Sequence, residues 1–200
     1  IEVIFTPIDP DDAHNEIELL KGIVNLDHPS IMLKIIDSPD NKTLLAQKAL
    51  IAQSDQIDFV GINSDLLRGN IEETIERRKP KIFEVQTENQ ENVKVLIEYI
   101  KPETHLIIVG DNYDVLAMLG IATELGWKCS VVGKAKKLSK RVYKLAKTVV
   151  DYDDAHTLSV NDHTAVLLMS HDYNWDRMMI PVFVNQKPGY IGMLGPKKRL

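Results

Sequence analysis

The chain has a single cysteine, Cys129, in 200 residues. An internal disulfide framework is therefore excluded, and packing has to hold the fold. A lone thiol in an apolar segment reads as a small core residue rather than a nucleophile, and it suits a reducing cytoplasm. No apolar run approaches the roughly 20 residues of a membrane-spanning helix, so a protein outside the membrane is expected. Residue 1 is Ile rather than Met and no signal-peptide pattern follows, so the expectation is a portion of a longer chain. His14 and His28 stand isolated, and no His, Cys, Asp or Glu spacing resembles a zinc site. There is no Gly-x-Ser-x-Gly nucleophile turn, no internal repeat and no low-complexity segment. Net charge is −5, which argues against general nucleic-acid binding.

What is present is enough apolar material for a real core. Hydrophobic residues make up 44% of a length that fits one large domain or two small ones. The charge is uneven. Residues 1–101 hold 11 basic and 19 acidic groups, whereas residues 102–200 hold 13 basic and 10 acidic groups. The basic excess lies in Lys134 to Lys147 and in Lys197, Lys198 and Arg199. Such runs are commonly solvated helix faces or tails. Both follow expected strand ends, where an α/β sheet binds ligands, so an anionic small molecule is the sharper reading.

Two domains are expected, 1–101 and 102–200, with Lys101-Pro102-Glu103-Thr104 as the boundary because Pro102 ends a strand. The first reads as a smaller mixed α/β domain. It has a strand in IEVIFTPI and a helix in DDAHNEIELLKGIVNL, capped by Asp11 or Asp12, with Ile17, Leu19, Leu20 and Ile23 on its apolar face. SIMLKIID is a strand, and LLAQKALIAQ is ambiguous between helix and strand. FVGI is a short apolar piece, and SDLLRGNIEETIERRK is a helix weakened by Gly69. KIFEVQ and NVKVLIEYI form a strand pair around the turn TENQE.

The second domain alternates strand and helix, which predicts a parallel sheet flanked by helices, a Rossmann-like α/β fold. HLIIVGDNYDVLAMLGIATELGWKCSVVG gives a buried strand, a tight turn at Gly110, an amphipathic helix ending near Gly126, and a second buried strand. That is the opening βαβ unit of a dinucleotide-binding fold. The three glycine places of its fingerprint hold Gly110, Asn112 and Val115, so only the first is kept. Asp111 adds a carboxylate near the helix start, where a diphosphate would sit. Asp111, Asn112 or Asp114 is a candidate to cap that helix. Gly133 and Lys134 follow the second strand in place of a ribose-binding acid, and Lys134 cannot accept from a diol. A Rossmann-like domain with weak or no NAD binding is the expectation.

LSKRVYKLAK, TVVDY, TAVLLMSH, Asp172 to Asn185 and GYIGML then read as helix, strand, strand, helix and strand. The end of TAVLLMSH delivers Ser170, His171 and Asp172, with Asp176 one helical turn further on. A histidine flanked by carboxylates serves in acid–base work, or as a fixed group near a helix cap. Structure or ligand contact is favoured over catalysis here.

The ordered segments VKVLIEYIKP, HLIIVGDN, GWKCSVVG, TAVLLMSHDYNWD and GYIGMLGPKKR resemble the XdhC/CoxI family, accessory factors of xanthine dehydrogenase and related molybdenum hydroxylases. The family turn Gly-Ala-Gly-His stands here as Gly110-Asp111-Asn112-Tyr113. The resemblance implies a chaperone rather than an enzyme in the usual sense. It would bind molybdenum cofactor (molybdopterin), promote sulfuration with a partner cysteine desulfurase, and deliver the product to a molybdenum hydroxylase apoenzyme. It also implies a homodimer and a cysteine-bearing segment before Ile1. The alternative is an NAD(P)-binding oxidoreductase or redox sensor using the same crevice. The expected site joins the strand ends at Gly110, Gly133 and Ser170. It includes Asp111, Asn112, Lys134, Asp176, His171 and Asp172 on the floor, and Gly192, Gly195, Lys197, Lys198 and Arg199 at the rim.

Overall fold

The computed structural model describes residues 5, 7–24, 26–51, 57 and 59–195. The chain divides into two units, Ile1–Pro102 and Glu103–Leu200. The first contains α1 (Glu16–Lys21), β1 (Ser30–Asp37), β2 (Lys48–Ile51), α2 (Ser64–Arg77), β3 (Lys81–Gln86) and β4 (Asn92–Ile100). Its sheet is antiparallel throughout, in the order β2-β1-β4-β3. Strand alternation works as a period of two should: Phe83 and Val85 turn inward while Ile82 and Glu84 face out. Leu67 and Ile71 of α2 join Leu33, Ile35, Val95 and Ile97 in one core.

Several details of this unit differ from expectation. The first helix is capped by Asn15, not Asp11 or Asp12, because the Asn15 carboxamide satisfies the turn on both sides. Its Oδ1 accepts from the Ile17 and Glu18 amides, and its Nδ2 donates to the Asp9 and Asp12 carbonyls. The helix has six residues, none of them buried, and Ile17 and Leu20 are exposed. The ambiguous LLAQKALIAQ begins at the end of a 3-10 turn, Lys42–Leu44, and supplies strand β2. FVGI, read only as a short apolar piece, is a turn in which Val60 and Gly61 take positive φ while Phe59 and Ile62 plug the core. The strand expected in IEVIFTPI falls largely outside the described residues, and Pro7 and Ile8 are not in a strand.

The second unit runs β5 (His105–Val109), α3 (Asp114–Glu124), β6 (Lys128–Val132), α4 (Lys140–Leu145) and β7 (Thr148–Val150). A 3-10 helix (Tyr152–Thr157), β8 (Thr164–Leu168), α5 (Tyr173–Val184) and β9 (Tyr190–Met193) follow. All its strand pairs are parallel, in the order β7-β6-β5-β8-β9. It is a Rossmann-like sheet with helices on both faces. β5 is central and buried along its whole length. Leu106 and Ile108 pack with Val115 and Leu119 of α3, while Ile107 and Val109 pack with Met179 and Phe183 of α5. Each such side chain contributes roughly 1.5–3 kcal/mol of transfer free energy. Two boundaries moved. Tyr152 leaves the strand for the 3-10 helix, where its ring is buried, and β8 stops at Leu168, three residues before His171.

Candidate functional site

Strand order reverses between β5 and β8, so the loops leaving these two strands separate there and open a crevice at the carboxyl edge of the sheet. The glycines around it are spent on chain packing. A Cβ at Gly110 would lie 2.7 Å from the Met169 carbonyl oxygen, and one at Gly133 would lie 2.6 Å from that of Gly110. The three loop starts thus touch backbone to backbone. Asn112 ties two of them together, its Nδ2 donating to the Ser170 carbonyl at 3.0 Å.

None of the expected caps holds α3. Its N-cap residue is Tyr113, with no side-chain cap bond. Asp111 is only 7% exposed and turns toward β6 instead, accepting from the Lys134 amide and the Lys137 ammonium, each at 3.2 Å. Its charge is therefore compensated away from the helix start. Asp114 reaches the other way, with Oδ2 2.6 Å from His171 Nε2. His171 has φ 62, in the left-handed region that a β-carbon disfavours, and its side chain is 50% exposed.

Ser170, Asp172 and Asp176 form the fixed base under α5. Asp176 is fully buried, and its Oδ1 accepts from the Ser170 amide at 3.2 Å and the Ser170 hydroxyl at 2.6 Å. Asp172 is the α5 N-cap, accepting from the Asn174 amide at 2.9 Å. Asp176 is thus an anchor beneath the site rather than a surface group. Its Oδ2 is buried without a hydrogen-bond partner among the described residues.

Lys134 is exposed, and its Nζ lies 5.1 Å from the centroid of the Trp175 ring. That ring stacks on Tyr152, with centroids 4.2 Å apart. Burial raises the Tyr152 phenol well above its ordinary range, and the carboxylates of Asp111, Asp176, Asp151 and Asp172 push the same way, so it stays protonated. Sequence reasoning missed this stack and the Asp114–His171 pair. Both join residues far apart in the chain, and no local spacing marks them.

Gly192 lies inside β9, where a Cβ would meet the Tyr190 ring, and Gly195 is exposed just beyond it. Lys197, Lys198 and Arg199 lie outside the described residues. Cys129 is buried in β6, and burial raises its thiol above the usual range. Among the described residues no cluster of three His, Cys, Asp or Glu is arranged to hold a metal ion, and no helix is long and apolar enough to cross a membrane.

No curated protein sequence matches the chain significantly. Among solved structures the chain is similar to a crystal structure of a xanthine dehydrogenase from Bacillus halodurans. Identity is 17%, the coverage is 92% of this chain and 80% of that one, and the TM-score is 0.48. Residues 106–200, the span from β5 through β9 that carries the crevice, match the XdhC Rossmann domain, so the second unit is a Rossmann domain of the XdhC type.

Proposed function

We propose that this chain is an accessory protein in the maturation of a xanthine dehydrogenase-type molybdenum hydroxylase. It binds molybdenum cofactor at the β5–β8 crevice, supports its sulfuration, and passes it to the apoenzyme. The observation that carries this reading is the XdhC Rossmann domain over residues 106–200.

The residues at the crevice fit an anionic, phosphate-bearing pterin. The amino end of α3 has no side-chain cap, and Lys134 is exposed at the end of β6. The one carboxylate on the turn itself, Asp111, already has the Lys137 ammonium and the Lys134 amide as partners. Lys134 and the α3 amino end would hold the phosphate, and His171 would meet the ring system. When bound, the cofactor carries the molybdenum redox chemistry that its client uses. This chain's part is to bind, orient and shield it. Cys129 is buried and its thiol is held protonated, so sulfur for sulfuration comes from a partner cysteine desulfurase. A homodimer is the resting form in this reading.

The rival assignment, an NAD(P)-dependent oxidoreductase or sensor, finds less support. The end of β6 offers Gly133 and Lys134, and the nearest carboxylate, Asp111, is paired and almost buried. Among the described residues, a ribose diol would find no unpaired side-chain carboxylate at Gly133 and Lys134.

The test is anaerobic isolation of the chain from molybdate-fed cells. Molybdenum is measured by mass spectrometry, oxidised pterin by fluorescence, and function by activation of an apo molybdenum hydroxylase. Co-purifying molybdenum and pterin with client activation are expected. Absence of all three from folded protein would reject the proposal.

A further inference from the structure

His171 lies at the mouth of the crevice, in the loop between β8 and α5, and it keeps a left-handed backbone although it is not glycine. Such a conformation persists only where the surroundings fix it. Asp114, in the first turn of α3, supplies one constraint through the 2.6 Å contact of its Oδ2 with His171 Nε2. A carboxylate at that distance accepts a hydrogen bond from Nε2–H. In the neutral ring this leaves the lone pair on Nδ1. Nδ1 has no hydrogen-bond partner among the described residues, and the ring is half exposed. The residue before α3, the helix that carries Asp114, is Tyr113, 91% exposed, and α5, two residues after His171, begins at Tyr173, 43% exposed. These two helices pack on opposite faces of the sheet.

We infer that His171 is a specificity-determining residue: its Nδ1 accepts a ring N–H of a planar heterocyclic ligand, with Asp114 as the positioning residue that fixes the imidazole tautomer. Tyr113 and Tyr173 offer flat apolar surface to such a ring. The inference rests on the reading that a pterin-bearing cofactor enters this crevice, and it assigns the ring edge of that ligand to His171. Ligands of the same shape that lack an N–H donor leave Nδ1 unpaired and are discriminated against.

The probes are pterin, which has N–H donors, and 1,3-dimethyllumazine, a bicycle of similar size with none. Binding is read by fluorescence, and the His171 tautomer by nitrogen-15 NMR of the labelled chain. The wild type is expected to show unprotonated Nδ1 and to prefer pterin by about tenfold, the scale of one hydrogen bond in a partly exposed site. Asp114→Asn lets an amide N–H donate to Nε2, moves the ring proton to Nδ1, and is expected to bring the ratio to about one. His171→Asn, which tolerates a left-handed backbone, should abolish the preference without unfolding the unit, as monitored by tryptophan fluorescence. Protonated Nδ1 in the wild type, or equal binding of both probes, would overturn the inference. Molybdenum content of the same preparation separates the two readings. Molybdenum retained without discrimination refutes only the role of His171, whereas loss of both molybdenum and pterin binding refutes the proposed function as well.

Discussion

Acidification should destabilise the Rossmann unit through one histidine at the opposite edge of its sheet. His105 begins β5, is 9% exposed, and its Nε2 lies 2.8 Å from the hydroxyl of buried Ser130. Its pKa is lowered from 6.5 to about 4, first by burial and then by the charges of Lys128 and Lys147, with a backbone hydrogen bond to Ser159 acting the other way. The neutral ring is therefore the folded form. Unfolded, the imidazole takes up a proton as pH falls through about 6.5, so the unfolded state binds more protons across the window down to about 4. The stability contribution is complete above pH 6.5 and is lost progressively as pH drops toward 4. At pH 5 the linkage gives a ceiling of about 2 kcal/mol, and about 1–2 kcal/mol is expected once partial solvent access is allowed for. Urea unfolding at pH 8 and pH 5, followed by tryptophan emission, measures it. Both tryptophans, Trp127 and Trp175, belong to the second unit, so the signal reports that unit alone. His105→Gln keeps a hydrogen-bonding group toward Ser130 and removes the titration. The wild type should lose about 1–2 kcal/mol more than this variant between the two pH values. Equal losses in the two proteins would refute the reasoning.

Four further outcomes follow from the same geometry. Asp176→Ala strands the buried Ser170 amide, while the Ser170 hydroxyl keeps the Asp172 carbonyl as acceptor, and should cost roughly 1–3 kcal/mol in chemical denaturation, so an unchanged midpoint would show that the contact carries no stability. Gly110→Ala drives a methyl into the Met169 carbonyl and should cost roughly 1–3 kcal/mol. Gly69→Ala enters open space on α2 and should gain roughly 0.5–1 kcal/mol, and circular-dichroism melts that reversed this order would contradict the packing account. NADH should bind weakly or not at all in calorimetric titration, because Asp111 is committed to Lys134 and Lys137 and Gly133 brings no side-chain acceptor. A micromolar affinity would count against that reasoning.

Much of the second unit was legible because its signals are local. Continuous apolar runs marked β5 and β6, and the burial of Cys129 followed from its place in one of them. The helix read over Asp172 to Asn185 matches α5 to within a residue at each end, despite Pro181. Strand–helix alternation was sufficient for a parallel sheet. What the linear pattern did not determine depends on which groups meet across the sheet. Asp111 and Asp114 looked equivalent as helix caps. The fold sends one to Lys134 and Lys137, 23 and 26 residues on, and the other to His171, 57 residues on. Ser170, His171, Asp172 and Asp176 looked like one polar cluster, yet Asp176 is buried under α5 while His171 stands half exposed beside Asp114. In the first unit, the apolar spacing of Ile17 and Leu20 implied a core face, but the helix is too short and too poorly covered to bury them. Periodicity, caps and turn residues act over a few residues and are written in the sequence. Charge pairing, burial of a carboxylate and a left-handed histidine arise only when distant strands close on one another, and that closure was decided by the tertiary structure.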